Sequence, residues 1–157
     1  MCSRLLYIIF VSKFNAILFN NNLFFEEYSM LTAGDIKKLD DACLKLSEEE
    51  KVRHVGIINS LGHLIAGGQR KGIDSFLTDR QVEMLYMQMQ LDFNMRKEMD
   101  DVLGSIDYIA SRRKKLLVIS VPIGKNLVLI TAEPTADDRK IIKRAEELFD
   151  DIKISTI

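Results

Sequence analysis

Two strand-like segments in the second half of the chain, residues 116–121 and 127–131, constrain the fold more than any other part of the sequence. Nearly every position in both segments is apolar, and strands with that pattern lie at the centre of a sheet or are covered on both faces. The turn between them contains Gly124, Lys125 and Asn126. It is shorter than the crossover of about a dozen residues that a parallel pair needs. The two segments therefore predict adjacent antiparallel strands with helices on both faces.

Three further segments complete the predicted sheet. Residues 52–59 and 62–66 are mostly apolar and predict a hairpin, whose second strand we expect to end at Gly67 and Gly68. Residues 105–111 predict a third strand, which a short basic turn joins to the fourth. Because these turns are short, the strands that they join are antiparallel.

Three helices are predicted from their N-terminal caps. Each cap is a Thr followed three residues later by Asp or Gln, so that the two side chains can bond to backbone N–H groups of the first turn. The caps are Thr32 with Asp35, Thr78 with Gln81, and Thr135 with Asp138. The helices cover residues 33–47, 78–103 and 136–151. The chain is therefore predicted to be an α/β protein of the α+β type, with the order αββαβββα and a five-stranded antiparallel sheet.

The middle predicted helix is apolar on two opposite sides. At about 100° per residue, one side collects Val82, Leu85, Tyr86, Met89 and Phe93, and it can cover the sheet. The opposite side, here called the Met-rich face, consists of Met84, Met87, Leu91, Met95, Met99 and Val102.

Soluble monomers rarely leave an apolar surface like the Met-rich face exposed. We expect it to be a dimer or partner interface, most simply between two copies of the chain. Two alternatives are that residues 1–29 cover it, or that its flexible, polarizable Met side chains bind a small ligand.

Residues 1–29 differ from the rest of the chain in composition. They hold 4 of the 45 charged residues but 5 of the 8 Phe. The apolar run over residues 5–19 is interrupted by Lys13 and is shorter than the about 20 residues of a membrane-spanning helix, so no integral membrane span is expected. The segment is either an added element or translated upstream DNA before a true start at Met30. Its residue types, which AT-rich codons encode, favour the second. Residues 30–157 are predicted to form a single domain.

Several kinds of chemistry are disfavoured by the composition. The net charge of −1 gives no field to attract nucleic acid. The chain has two cysteines, Cys2 and Cys43, and two histidines, His54 and His63, which supply neither a disulfide framework nor the ligands of a metal site. No catalytic motif is present either. We expect a cytoplasmic protein that is not an enzyme and needs no cofactor.

One turn concentrates positive charge. Arg112, Arg113, Lys114 and Lys115 follow each other between the third and fourth strands. We interpret them as a solvated hairpin tip that discourages edge pairing. The alternative is a surface for an acidic partner, phosphate or anionic lipid.

The order αββαβββα, together with the doubly apolar middle helix, resembles the roadblock (dynein light chain) domains of the profilin-like class. The stretch GIINSLGHLIAGG at residues 56–68 is similar to the first hairpin of that family. LLVISVP at 116–122 and NLVLITAE at 126–133 are similar to its closing strands. The resemblance covers residues 32–151. It implies a non-catalytic homodimer or heterodimer with the middle helices at its interface, acting as a scaffold or as a regulator of a small Ras-like GTPase.

Overall fold

The computed structural model describes residues 31–150 and Ile152. The predictions made for residues 1–29 lie outside this part of the chain and stay predictions. The described residues form four helices, of which one is a single turn, and five strands. In chain order these are α1 (Ala33–Ser47), β1 (Val52–Ile58), β2 (Leu64–Gln69), α2 (Asp79–Lys97), α3 (Asp100–Leu103), β3 (Ile109–Arg112), β4 (Leu117–Ile123), β5 (Asn126–Ala132) and α4 (Asp138–Phe149).

The five strands form one sheet in the order β2-β1-β5-β4-β3. All four neighbouring pairs are antiparallel. The two apolar strands that the sequence marks out, β4 and β5, are adjacent, and β5 is the central strand. The predicted fold class is therefore confirmed.

Each face of the sheet has its own core. Side chains alternate along β4, so that Leu117, Ile119 and Val121 pack with α1 and α4, whereas Val118 packs with α2 on the other face. The strand β5 divides its apolar residues in the same way. One face is thus covered by two helices and the other by α2.

The second strand continues beyond the point where the sequence predicts its end. Gly67 and Gly68 lie inside β2 and pair with Gly56 and Val55 of β1. The glycines permit a close approach: at Gly67, with φ of +79°, a Cβ atom would clash with the Val55 carbonyl oxygen and would lie 2.9 Å from Cys43 Sγ of α1. The glycine therefore marks close packing of the strand against a helix.

Three other boundaries differ from the predictions. The strand β3 begins at Ile109, later than residue 105. The predicted cap of Thr135 with Asp138 is not formed, because a turn at Pro134 delays the start of α4. The helix is capped instead by Asp137, whose side chain accepts a hydrogen bond from the Lys140 N–H. The middle helix ends at Lys97 and is followed by the separate turn α3. There the Met99 N–H bonds to the Arg96 carbonyl, a tightened turn that interrupts the helix.

Two glycines with nearly the same φ angle allow the energetic cost of the close approach at Gly67 to be measured. Gly67 and Gly72 have φ of +79° and +78°, but a Cβ atom at Gly72 would have nothing within 4 Å. We expect Gly67→Ala to lower the free energy of unfolding by about 3 kcal/mol, from backbone strain plus overpacking. Gly72→Ala should lose about 1 kcal/mol from strain. Urea denaturation of both variants measures the difference, and equal losses would contradict the packing argument.

Candidate functional site

The helix α2 begins where the sequence predicts a cap. The Thr78 hydroxyl accepts a hydrogen bond from the Gln81 N–H, and the Gln81 side chain accepts one from the Thr78 N–H at 3.0 Å. This capping box satisfies two backbone donors that would otherwise lack partners. It fixes the rotation of the helix from its first turn.

The inner side of α2 packs on the sheet as predicted. Tyr86 and Phe93 are buried there, and Val82, Leu85 and Met89 are partly buried beside them. Their contacts include Val118 of β4 and residues of β5.

The outer side of α2 carries the first four residues of the Met-rich face. Met84 and Met87 are about half exposed, and Leu91 and Met95 are 61% and 64% exposed. Within the described part of the chain, about half or more of each of these side chains is left uncovered. The role of the Met-rich face as an interface stays a prediction.

The last two residues of the Met-rich face do not lie on α2. Met99 caps the following turn and Val102 lies within α3, because the helix is interrupted after Lys97. Both side chains are nevertheless exposed, and so are Leu103 and Tyr108 further along. Exposed apolar side chains are thus found along the chain beyond the helix as well, up to the residue before β3.

The first hairpin holds α2 in place at its middle. At Gly62, in the turn between β1 and β2, a Cβ atom would lie 2.9 Å from the Met87 Cα. Since φ at Gly62 is +76° as well, the position requires glycine on two grounds. The hairpin turn thus packs directly against the backbone of α2.

A buried hydrogen bond links the same strand and helix. The Tyr86 hydroxyl lies 3.1 Å from His54 Nε2, and both residues are buried. Burial raises the pKa of Tyr86 to about 12 and lowers the pKa of His54 to about 4. At neutral pH the phenol therefore keeps its proton and the imidazole is uncharged, so the hydrogen bond joins two neutral groups.

This His–Tyr pair is a polar contact that the sequence analysis does not identify. The pattern of β1 contains a signal for it. His54 directly precedes the run Val55–Ile58, which has no polar side chain, and a polar residue that is buried in such a strand needs a hydrogen-bond partner. Which residue supplies that partner depends on how α2 lies over the sheet.

The four basic residues of the predicted turn have two different environments. Arg112 hydrogen-bonds through its guanidinium to the carbonyl oxygens of Pro134 and Ala136, and it lies 3.5 Å from Asp138. Arg113, Lys114 and Lys115 are exposed at the hairpin tip. Arg112 thus also ties β3 to the loop before α4. The interpretation of the four residues as a solvated hairpin tip, and the alternative of a surface for an anionic partner, both stay predictions.

Other kinds of site have no support in the part of the chain that the structure describes. Residues 31–150 contain no group of three or more His, Cys, Asp or Glu side chains that could hold a metal ion. None of the helices described is long and apolar enough to cross a membrane.

The element order and the two-sided sheet define the class of the protein, which has the fold of roadblock domains. A Roadblock/LC7 domain from Streptomyces avermitilis aligns with a TM-score of 0.59 and 9% identity, over 73% of this chain and 94% of that one. The gliding protein MglB from Thermus thermophilus aligns with a TM-score of 0.65 and 14% identity, over 78% and 93% of the two chains. An MglB structure with a tetrameric arrangement gives 0.66 and 13%, over 81% and 96%. These similarities show the fold and confirm the predicted resemblance.

A family model also matches the sequence of the chain. The chain belongs to DUF6659, a family of unknown function, whose model matches residues 31–152. No curated protein sequence matches the chain significantly. The fold and the family are thus shown, and the function has to be argued from the surface of the molecule.

The buried His54 predicts a specific dependence of stability on pH. Its folded-state pKa of about 4 lies below the value of 6.5 for the free side chain, so the unfolded chain binds more protons between these two pH values. The contribution of the buried, uncharged His54 to the free energy of unfolding is fully present above about pH 6.5, and it decreases as the pH falls. We expect a loss of about 2 kcal/mol from this residue between pH 7 and pH 5.

Urea denaturation at several pH values measures this loss. His54→Gln should flatten the slope over that interval, since glutamine does not titrate. His63→Gln is the matched control, because His63 is exposed, and it should keep the slope of the natural protein. The same slope in both variants would contradict the assignment.

Proposed function

We propose that the protein is a non-catalytic dimerisation module, in which two copies pack together through the Met-rich face. One observation supports this most directly: four large apolar side chains on a 19-residue helix point away from the sheet and are at least 47% exposed. Burying a side chain of this size is worth about 1.5–3 kcal/mol. Methionine is also enriched in protein interfaces relative to the rest of the surface.

The charges at the two ends of α2 favour an antiparallel arrangement of the two helices. At about 100° per residue, Arg80 and Glu98 fall on the same side of the helix as Leu91. Both are exposed, and one lies at each end of the helix. In a two-fold arrangement each contact occurs twice, so Arg80 would face Glu98 of the partner subunit at both ends. A parallel pairing would instead bring like charges together.

Dimerisation is tested by a pair of matched substitutions on opposite faces of the sheet. Leu91 on α2 and Leu44 on α1 are 61% and 60% exposed. We expect Leu91→Glu to weaken self-association at least about a hundredfold, because an unpaired carboxylate buried in an apolar interface costs several kcal/mol. Leu44→Glu should leave it unchanged. Sedimentation equilibrium measures both, and circular dichroism checks that each variant folds.

The arrangement of the helices is tested by reversing charges. Arg80→Glu should weaken the dimer, and the double variant with Glu98→Arg should restore it, since the opposite charges face each other again. A dimer insensitive to Leu91→Glu would show that the chains associate through another surface. A natural protein that sediments as a monomer would contradict dimerisation itself. A dimer sensitive to Leu91→Glu but not rescued by the charge swap would exclude the antiparallel pairing.

We further propose that the dimer is a scaffold in the cytoplasm for a small Ras-like GTPase. This part rests on the resemblance to roadblock domains, whose members act in that way. It is consistent with a free, buried thiol at Cys43, which needs no oxidising compartment. The role requires no chemistry from the module itself, only a rigid surface made by two copies.

The proposed GTPase partner is tested by capturing binding proteins from lysate in the presence of different guanine nucleotides. The immobilised protein is incubated with native lysate containing either GDP or a non-hydrolysable GTP analogue. We expect mass spectrometry to identify a Ras-like GTPase whose recovery differs between the two nucleotides and falls with Leu91→Glu. Equal recovery in both conditions, or recovery of no such GTPase, would contradict this part of the proposal and leave the dimer result standing.

A further inference from the structure

A cavity of about 600 Å³ lies between the edge strand β2 and the helix α2. Its volume falls within the range of about 300–1,000 Å³ that is typical of small-molecule sites. The residues that determine its chemistry are His54, His63, Asp79, Val82, Glu83 and Tyr86. The cavity lies beside α2. Met87 belongs both to the cavity lining and to the Met-rich face, so the two surfaces meet at this residue.

The buried end of the cavity is polar but already satisfied. His54 and Tyr86 bond to each other at 3.1 Å, and both residues are buried. A hydroxyl oxygen has two lone pairs, and the bond to His54 uses at most one of them, so the phenol oxygen can accept a hydrogen bond from a ligand. This end of the cavity therefore presents a hydrogen-bond acceptor.

The helix side of the cavity adds two negative charges. Asp79 and Glu83 are four residues apart, so their side chains lie on the same side of α2. In the described part of the chain, neither carboxylate has a cation within 4.0 Å. The described lining contains no Lys or Arg. An ionised carboxylate is an acceptor only, so these groups match a ligand that carries donors and positive charge.

Apolar surface lies next to these acceptors. Val82 is on the helix side, Leu64 is on the strand side, and Met87 is at the border. From this combination we propose that the cavity binds a small organic cation. Its ammonium or guanidinium group lies at Asp79 and Glu83, and its hydrocarbon body lies against Val82 and Leu64. The inference goes beyond the proposed dimer and does not depend on it.

The two histidines of the chain make the binding directly observable. The chain contains only two, and both line this cavity, so the ring signals of ¹⁵N-histidine-labelled protein report on it without further assignment. The probes are phenethylamine, 2-phenylethanol and 3-phenylpropanoate, which have similar hydrocarbon bodies with positive, zero and negative charge. We expect both histidine signals to shift with the amine, less with the alcohol and not with the carboxylate.

Two carboxylate variants and one control locate the cation. Asp79→Asn and Glu83→Gln should each weaken phenethylamine binding about tenfold, the amount expected for one charge-assisted hydrogen bond. Asp92→Asn is the control, because it removes a carboxylate of the same helix that lies outside the lining. It should bind as the natural protein does.

A binding measurement with a peptide distinguishes two sources of the positive charge, a free organic cation and a basic side chain of another protein. The probe is the capped pentapeptide Gly-Gly-Arg-Gly-Gly. Binding of phenethylamine that is lost in the two variants supports the proposal. Binding of the peptide without the amine would overturn it in favour of a protein partner. Equal binding of the alcohol and the amine, or no shift with any probe, would overturn it as well.

Because Leu91 does not line the cavity, Leu91→Glu should leave amine binding unchanged. The result of this experiment is therefore independent of the result for the dimer.

Discussion

The burial of β5 on both of its faces is the constraint on which the rest of this structure depends. The strand lies between β1 and β4, and its residues from Leu127 to Ala132 are all buried. A strand that is buried on both faces cannot lie at a surface, so helices must cover the sheet twice. The two faces are covered by different numbers of helices, because α1 and α4 pack on one face and α2 packs on the other. Because α2 has no neighbouring long helix within residues 31–150, its outer side stays exposed.

Much of this arrangement could be predicted because it follows from local pattern. The spacing of Tyr86 and Phe93 identifies the side of α2 that meets the sheet, and the caps at Thr32 and Thr78 set the starts of two helices. The short turns impose antiparallel pairing wherever they occur. In each case the information is contained within a few neighbouring residues, and the structure agrees.

The differences arise where the outcome depends on residues distant in the sequence. Gly67 suggests the end of a strand when read alone, but its role is to admit Cys43 of α1 to the strand. Arg112 belongs to a basic run when read alone, and its bonds to carbonyl groups more than twenty residues later in the chain follow only from the folded arrangement. The cavity is similar, because His63 and Asp79 come together only after β2 and α2 are placed side by side. No local pattern encodes that proximity.

The contact between Asp40 and the edge strand has a consequence for how far such sheets can grow. The Asp40 carboxylate on α1 accepts the N–H of Gly67 in β2 at 2.7 Å, so a backbone donor that could have recruited another strand is already occupied. Further strands are therefore disfavoured at this edge of the sheet, while the edge formed by β3 lies at the opposite end. A single carboxylate on a helix thus hinders edge-to-edge pairing at this position of β2.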